Sequence, residues 1–495
     1  MGAQRSVIRR FLIFLYTMSL SACMVGPDFH TPPPPDVKRL TEIPLPKKTV
    51  HSQSAGGNAQ TFVNNEDIPL LWWELFHSPQ INQLIQTGLA NSPSLASAIA
   101  ALQQAQENVN IQIGSAFLPN IQTINTAQRQ RYSLVAIGVD NREFTFNLVN
   151  PTLTISYTFD VFGGARRELE SLRAQVDYQQ FQLIAAYMTL TANIVTSAIN
   201  IASYQDQIQA TDELIHVEQN VLNILNQQYR LGGISEADVL TQKTTLEQTK
   251  ASLPPLQKSL AQAQHTLSAL VGAFPDGPLP QINLNALHLP ENIPVSLPSN
   301  LVKQRPDIRA SEALIHAACA QIGVATANLL PQFTITGAYG WINTSFLNLF
   351  TPHNLVWDGL IQVSQTIFKG GALFAARRGK IDAFKQAEAQ YRQTVLNAFR
   401  DVADTLRALE TDARTLQAQA RAEQAASKAL KLTLSQYRLG GTTYINLLNA
   451  QHQYQQAMIN RIQAQAGRLN DTVALFQSLG GGWWNKPGCQ QECLS

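Results

Sequence analysis

QYRLGG runs from Gln228 to Gly233, and the same six residues return 208 positions later, from Gln436 to Gly441. The hexapeptide has the chemistry of a helix end. Gly232 and Gly440 can take the left-handed backbone that a helix C-terminus needs. Arg230 and Arg438 place a cation at the carbonyl end of the helix dipole. The spacing says more than the cap does. AFLPNIQT around Pro119 is echoed by NLLPQFTIT around Pro331, 212 residues on, and FGGARRELE from Phe162 by KGGALFAARR from Lys369, 207 residues on. NSPSLASA around Pro93 has a weaker partner in QRPDIRASEA around Pro306, at an offset of 213. Four pairs in one order, at offsets that agree to within a few residues, make the body a tandem duplication of a unit just over 200 residues long. That is too long for a solenoid repeat and is the size of a domain.

Each copy reads in the same order. A helix comes first, about Ile81 to Phe117 and Pro306 to Leu329. Two strands follow, then a very long helix, about Ala165 to Leu231 and Ala372 to Leu439. QYRLGG ends it, and a return helix begins near Ser235 and near Tyr444. The strands carry the clearest pattern. In PTLTISYTFD, Leu153, Ile155, Tyr157 and Phe159 alternate with Thr152, Thr154, Ser156 and Thr158. In PQFTITGAYGW, Phe333, Ile335, Tyr339 and Trp341 share one face, and Thr334, Thr336 and Ala338 share the other. Asn120 to Gln128 and Leu360 to Phe368 are rougher versions. Such lengths cross a bilayer as tilted strands of about 9–11 residues, and the alternation fits a barrel wall. A soluble sandwich alternates too. If the strands do span, four per chain cannot close a barrel, which needs at least about eight. Two chains would give eight and three would give twelve.

The long helices set the scale. Ala165 to Leu231 would reach roughly 100 Å at about 1.5 Å per residue. Leu169, Leu172 and Val176, then Tyr187, Leu190 and Ile194, then Leu214, Val217 and Val221, step by three and four. This is coiled-coil spacing, so the helix is expected to pack side by side with others. Pro254-Pro255 is expected to interrupt the first return helix, and the second has no such break.

The chain ends differ from the body. MGAQRSVIRRFLIFLYTMSLSAC has a basic start and a short apolar run, as in a secretory signal peptide. It ends in Leu20-Ser21-Ala22-Cys23. That is the pattern of a bacterial lipobox, with Cys23 acylated, or of an ordinary cleavage site beside a chance cysteine. The Pro- and Gly-rich run that follows is expected to be extended or mobile to about residue 65. The expected plan is 1–22 signal, 23–65 linker, 66–285 first copy, 286–482 second copy and 483–495 tail. Cys489 and Cys493 either bridge each other or remain thiols. Cys319, in an Ala-rich helix, is expected to be a small buried apolar residue. A net charge of +2 with 14% charged residues leaves no footprint for nucleic acid. No stretch beyond the signal reads as a membrane helix, so a spanning body would have to use strands. The chain shows no HExxH, Walker A, GxGxxG or nucleophile-elbow motif, and its nine histidines have no ligand spacing. No enzyme, cofactor or metal is expected beyond a lipid on Cys23.

Together, GPDFHTPPPP after the cysteine, WWELFHSPQINQLI from Trp72, the run from Ser296 to Pro331 and the paired YRLGG turns give a resemblance. The chain is identified as a member of the TolC-like outer membrane factors, in their NodT-type lipoprotein branch. The resemblance implies an α+β membrane protein. Three chains would form a twelve-stranded outer membrane barrel that continues into a periplasmic helical tube. That tube would be the exit duct of a tripartite efflux pump, with an adaptor protein and an inner membrane transporter, RND-type, as partners. Met24 after Cys23, where an inner-membrane lipoprotein would carry aspartate, adds an outer-membrane address. The turns would be the closed tip and the adaptor's docking surface: Tyr229, Arg230, Gly232 and Asp238 in one, Tyr437, Arg438 and Gly440 in the other. Ile445 and Asn449 fall where an apolar and an acidic ring belong, and Asn446 also stands where a relative carries aspartate. Amides in place of carboxylates imply weak cation block, with a gate of Ile445 packing and Tyr437, Asp238 and Arg438 hydrogen bonds. The rival readings are a duct for secreted protein, a poreless lipid-anchored scaffold, and a cell-wall enzyme for which no motif exists.

Overall fold

The computed structural model describes residues 24–485 apart from 36, 38, 40, 42, 65, 134–142 and 296–297. The signal segment, Cys23, Cys489 and Cys493 lie outside the described residues. Eight helices are described: α1 (Pro79–Asn91), α2 (Pro93–Phe117), α3 (Gly164–Arg230), α4 (Glu236–Leu270), α5 (Pro298–Gln304), α6 (Pro306–Ala327), α7 (Ala372–Arg438) and α8 (Tyr444–Ser478). Six strands accompany them: β1 (Thr61–Asn64), β2 (Asn120–Ser133), β3 (Glu143–Phe159), β4 (Asn292–Val295), β5 (Gln332–Trp341) and β6 (Leu355–Ser364). The order α2-β2-β3-α3-α4 is repeated as α6-β5-β6-α7-α8. Both long helices have 67 residues and both return helices 35.

The chain forms two compact units, each drawing on both copies. The first holds the strands β2, β3, β5 and β6. They form one antiparallel meander in that order, and β2 and β6 each pair on one side only among the described residues. The alternation read from sequence sets the faces. Leu153 pairs with Tyr339, Ile155 with Gly337, Tyr157 with Ile335 and Phe159 with Phe333. Trp357, Ile361 and Val363 of β6 join that face opposite Tyr339, Ile335 and Phe333. Ile121, Ile155, Trp357 and Ile361 are all exposed in the single chain.

In the same unit the residues after position 23 are strapped down. Arg167, 2% exposed, donates to the Val25 carbonyl at 3.2 Å and to Asp28 at 2.7 Å, and pairs with Glu170 at 2.8 Å. Phe29 stacks on His316 at 4.4 Å, and the buried Cys319 thiol faces the Pro27 carbonyl at 3.6 Å.

The second unit holds the main core. Ile194, Val195, Ala198 and Ile199 of α3 pack with Leu406 and Leu409 of α7 and Leu469, Val473 and Phe476 of α8. Trp72 stacks on Phe476 at 5.4 Å. Each Val, Leu, Ile or Phe among them contributes roughly 1.5–3 kcal/mol by leaving water.

Several expectations need correction. The first helix is two, because Pro93 lacks an N–H and pushes Ser92 into extended backbone. Pro254-Pro255 does not interrupt α4, which runs through it. The lost bonds leave the Lys250 and Ala251 carbonyls without helix donors, and Ala251, Pro254 and Pro255 are exposed, so water reaches that side. The strand β6 starts five residues and ends four residues earlier than read, because its ladder is fixed by β5, from Trp341–Leu355 to Gln332–Ser364. Ile367 and Phe368 are apolar but unpaired. One stretch of α3 is long and apolar enough to cross a membrane by composition, contrary to the reading, and half of it is buried inside the protein. The linker is not free either. β1 pairs in parallel with β4, and Arg468, fully buried on α8, donates to the Gly56 and Asn58 carbonyls at 2.9 and 2.7 Å and to Thr49 at 3.1 Å.

Candidate functional site

Both QYRLGG turns close their helices in the same way. Gly232 and Gly440 have φ of +75° and +76°. Gly233 N donates to the Gln228 carbonyl and Gly441 N to the Gln436 carbonyl, both at 2.8 Å. A Cβ on Gly232 or Gly440 would meet nothing within 4 Å, so glycine stands there for its backbone and not for space. The residue before each glycine, Leu231 or Leu439, is almost wholly exposed, 86% and 87%. Arg230 and Arg438 are exposed as well. Each turn therefore presents one apolar and one cationic side chain at a fixed place.

The two tyrosines diverge. Tyr229 is exposed, whereas Tyr437 is half-buried, donates to Gln228 Oε1 at 3.2 Å and packs edge-on to Tyr444. That bond joins the two long helices. Below it, Leu225, Tyr444, Leu447 and Leu448 form a small core, flanked by Val221, Ile234, Val239, Leu430 and Leu434. This ties all four helices near their turns.

Asp238 and Asn446 also do different work. Asp238 completes a capping box: its carboxylate accepts from Ser235 N at 3.2 Å and Ser235 Oγ at 2.8 Å, and its own N–H donates to Ser235 Oγ. Thr443, at the matching cap, makes no side-chain cap bond, and Asn446 turns back to Thr442 at 3.0 Å. Within the single chain two of these side chains are already engaged. Tyr437 holds Gln228, and Asp238 holds its own helix start. Ile445 (55% exposed), Asn446 and Asn449 lie together on the exposed face of α8, opposite the buried Tyr444, Leu447 and Leu448. His452, Gln453 and Gln456 continue that face without a carboxylate.

A buried polar layer beside this core was not anticipated. Glu218 is fully buried, and Thr249 donates to it at 3.1 Å. Glu218 Oε2, Gln242 Oε1, Gln451 Oε1 and Tyr444 Oη are buried with no protein hydrogen-bond partner. Burial pushes the Glu218 carboxyl up, against the opposing Thr249 bond. Burial, then the Glu218 charge, pushes the Tyr444 phenol up. The signal was in the spacing: Leu214, Glu218, Val221 and Leu225 step by four, three and four, so Glu218 falls on the apolar stripe.

The arrangement offers no nucleophile, base or ligand set. Among the described residues no group of three or more His, Cys, Asp or Glu side chains is placed to hold a metal. What it offers is two outward-facing turns and one helix face without a carboxylate.

Comparison with known proteins assigns the setting. The chain is 30% identical over 476 residues to Nodulation protein T of Rhizobium leguminosarum bv. viciae, covering 94% of this chain and 92% of that protein. It is 28% identical over 451 residues to the pyoverdine export outer membrane protein OpmQ of Pseudomonas putida, covering 89% and 94%. It superposes on the outer-membrane channel OprN with a TM-score of 0.82 at 26% identity, over 93% of this chain and all of that one. The Campylobacter jejuni CmeC outer membrane channel shares the fold, with a TM-score of 0.82 at 19% identity over 93% of this chain and 95% of that one. OprN and CmeC are outer membrane channels, and OpmQ is an outer membrane export protein. The outer membrane efflux protein model matches twice, over residues 84–273 and 297–481, once in each copy, and the chain belongs to that family of outer membrane efflux channels.

Proposed function

We propose that three copies of the chain join their four-stranded sheets into one twelve-stranded barrel, and that the assembly is the passive exit duct of a tripartite efflux pump. The observation that carries this reading is the open meander β2-β3-β5-β6. Among the described residues its two edge strands lack a partner on one side, and its apolar face is exposed. An open edge in lipid leaves backbone groups without hydrogen bonds, at several kcal/mol each. Closure by neighbouring copies removes that cost and turns Leu153, Ile155, Trp357 and Ile361 to lipid. In this reading Cys23 carries the lipid anchor. The strap at Arg167 holds the chain that follows it, and the paired turns receive a periplasmic adaptor that links the duct to an inner membrane transporter, RND-type. Ile445 narrows the closed tip, and the amides of Asn446 and Asn449 leave it without a carboxylate ring.

The test is the purified outer membrane protein in planar bilayers, with its oligomeric state read by native mass spectrometry. A trimer with small unitary conductance, little blocked by added divalent cations from the periplasmic side, is the expected result. A monomer, or no conductance, rejects the duct. Strong divalent block rejects the amide gate alone.

A further inference from the structure

The β2–β3 hairpin exchanges the character of its two faces part-way along. From Pro151 to Phe159 the odd positions Leu153, Ile155, Tyr157 and Phe159 are apolar and the even positions Thr152, Thr154, Ser156 and Thr158 are polar. The ladder with β5 ends at Thr152–Gly340, but the pairing with β2 continues without a bulge to Ser133–Glu143. In that extension the even face carries Leu148, Phe146 and Phe144 of β3, opposite Gln128, Gln130 and Tyr132 of β2, so the exchange is made by β3 and joined at its end by Tyr132. The odd face carries Asn147, Thr145 and Glu143, with Arg129 and Arg131, and Arg131 Nε donates to Glu143 at 2.9 Å. Tyr132, Phe144 and Phe146 form one aromatic cluster with centroids 5.5 to 6.5 Å apart. Tyr132 is 56% exposed and Phe144 48%.

Side chains two apart on a strand stay on one face, and a register slip would move all of them together. The ladder has no slip, so the exchange is written in the sequence. The aromatic patch therefore continues the face of Thr152 and Thr154, which is the pore side of the proposed barrel. The charged patch continues the lipid side into the water beyond the membrane. A lipid-interface belt would require the reverse.

We propose that the aromatic faces of this hairpin from neighbouring copies of the chain meet over the outer mouth and form an apolar constriction there. The inference rests on the barrel reading above. The occupant is another copy because the pore side of a closed barrel faces the chains that build it. The strand that offers its free edge to a neighbour, β2, is also the strand that carries Tyr132. An apolar ring of this kind resists water and ions while the hairpins are together, and opens when they part.

Disulfide trapping tests it. Phe146→Cys and, on the opposite face, Thr145→Cys are each placed in the full chain with Cys319→Ala, Cys489→Ser and Cys493→Ser, and oxidised in outer membranes. Cross-linked pairs of chains are expected for Phe146→Cys and not for Thr145→Cys. A trimer that does not cross-link at 146, or that cross-links equally at 145, overturns the constriction and leaves the barrel standing. A monomer overturns both. As a second reading, the triple variant Tyr132→Ser, Phe144→Ser, Phe146→Ser is expected to admit polyethylene glycols at least twofold heavier from the outer side of a bilayer. An unchanged cut-off in a trimer that still conducts overturns the proposal.

Discussion

The two copies of the repeat agree where helices pack along their length and differ where chain ends are free. The long helices match at 67 residues each and the return helices at 35, although one return helix contains Pro254-Pro255 and the other does not. One residue inserted in a helix rotates every later side chain by about 100°, so a helix packed on both neighbours cannot drift in length. The hairpins have no such restraint. β2 and β3 have 14 and 17 residues, β5 and β6 only 10 each. The caps after the two turns differ as well. Duplication thus fixed the scaffold, and each copy's own chemistry lies at its ends and in what it binds from the linker.

The largest difference between the copies to break is Arg468, where the first copy has Leu260 at the matching place. Arg468 is fully buried and gathers the Gly56 and Asn58 carbonyls, Thr49 and Gln60 onto α8. Burial pushes its pKa down to about 10, against the pull of the Asp412 charge. Arg468→Ala leaves several buried acceptors without a donor, a loss of about 3 kcal/mol. The expected result is a lower denaturation midpoint and rapid proteolysis between Thr49 and Gln60. Leu260→Ala, at a partly buried site, is expected to cost about 1 kcal/mol and leave that segment protected. Equal protection in both variants would remove Arg468 from its role as the strap.

That strap also marks the limit of what the sequence discloses. Alternation in Leu153–Phe159 and Phe333–Trp341, and the glycine after each long helix, were legible because local backbone chemistry decides them. The position of β6 was not, because pairing with all ten residues of β5 outweighs the apolar pull of Ile367 and Phe368. The docking of residues 44–64 was not, because it depends on an arginine about 410 residues away in the chain. At the tip, Gly232, Gly440 and the exposed face of Ile445 and Asn449 follow from helix geometry. The Tyr437–Gln228 bond and the buried Glu218 layer arise only when two helices meet.

Acid pairing separates the copies next. Asp471 of α8 hydrogen-bonds with Asp412 of α7, while the matching residues of the first copy are Ala263 and Tyr204. Burial, then the bond and charge of Asp412, push Asp471 up from 3.8 to about 7. The folded state therefore holds a proton that the unfolded chain has released. This contribution is full below about pH 4, falls as pH rises through about 7, and is flat above it. Because the pair is half-exposed, the expected loss is about 1–2 kcal/mol across that window. Urea unfolding at pH 5 and pH 8 measures it, and Asp471→Asn is expected to flatten the difference. A variant that keeps the full pH dependence would place the proton elsewhere.

The turns themselves predict equality. Gly232 and Gly440 share one backbone conformation in open space. Alanine at either is expected to cost about 1 kcal/mol from left-handed strain alone. The two costs should add, because the sites share no partner. A cost at Gly440 well above that at Gly232 in the isolated protein would show that the second turn bears a contact the first lacks.

The smallest effect is the most specific to this comparison. Ser235 and Asp238 form a reciprocal capping box, so Asp238→Ala frees two donors and is expected to cost about 1 kcal/mol. Asn446, at the matching position, spends its amide on Thr442, and α8 starts without a side-chain cap. Asn446→Ala is therefore expected to cost no more than about 0.5 kcal/mol. Asn446→Asp would supply a carboxylate to the first turn of α8, where the helix dipole favours a negative charge by about 0.3–1 kcal/mol. It would also give Thr443 the partner that Ser235 already has. The expected outcome is a start to α8 that exchanges amide hydrogens more slowly, approaching α4, together with stronger divalent-cation block in bilayers, because the same carboxylate stands beside Ile445 on the exposed face. Protection without block would mean that Asn446 governs the stability of the turn and not the charge of the pore.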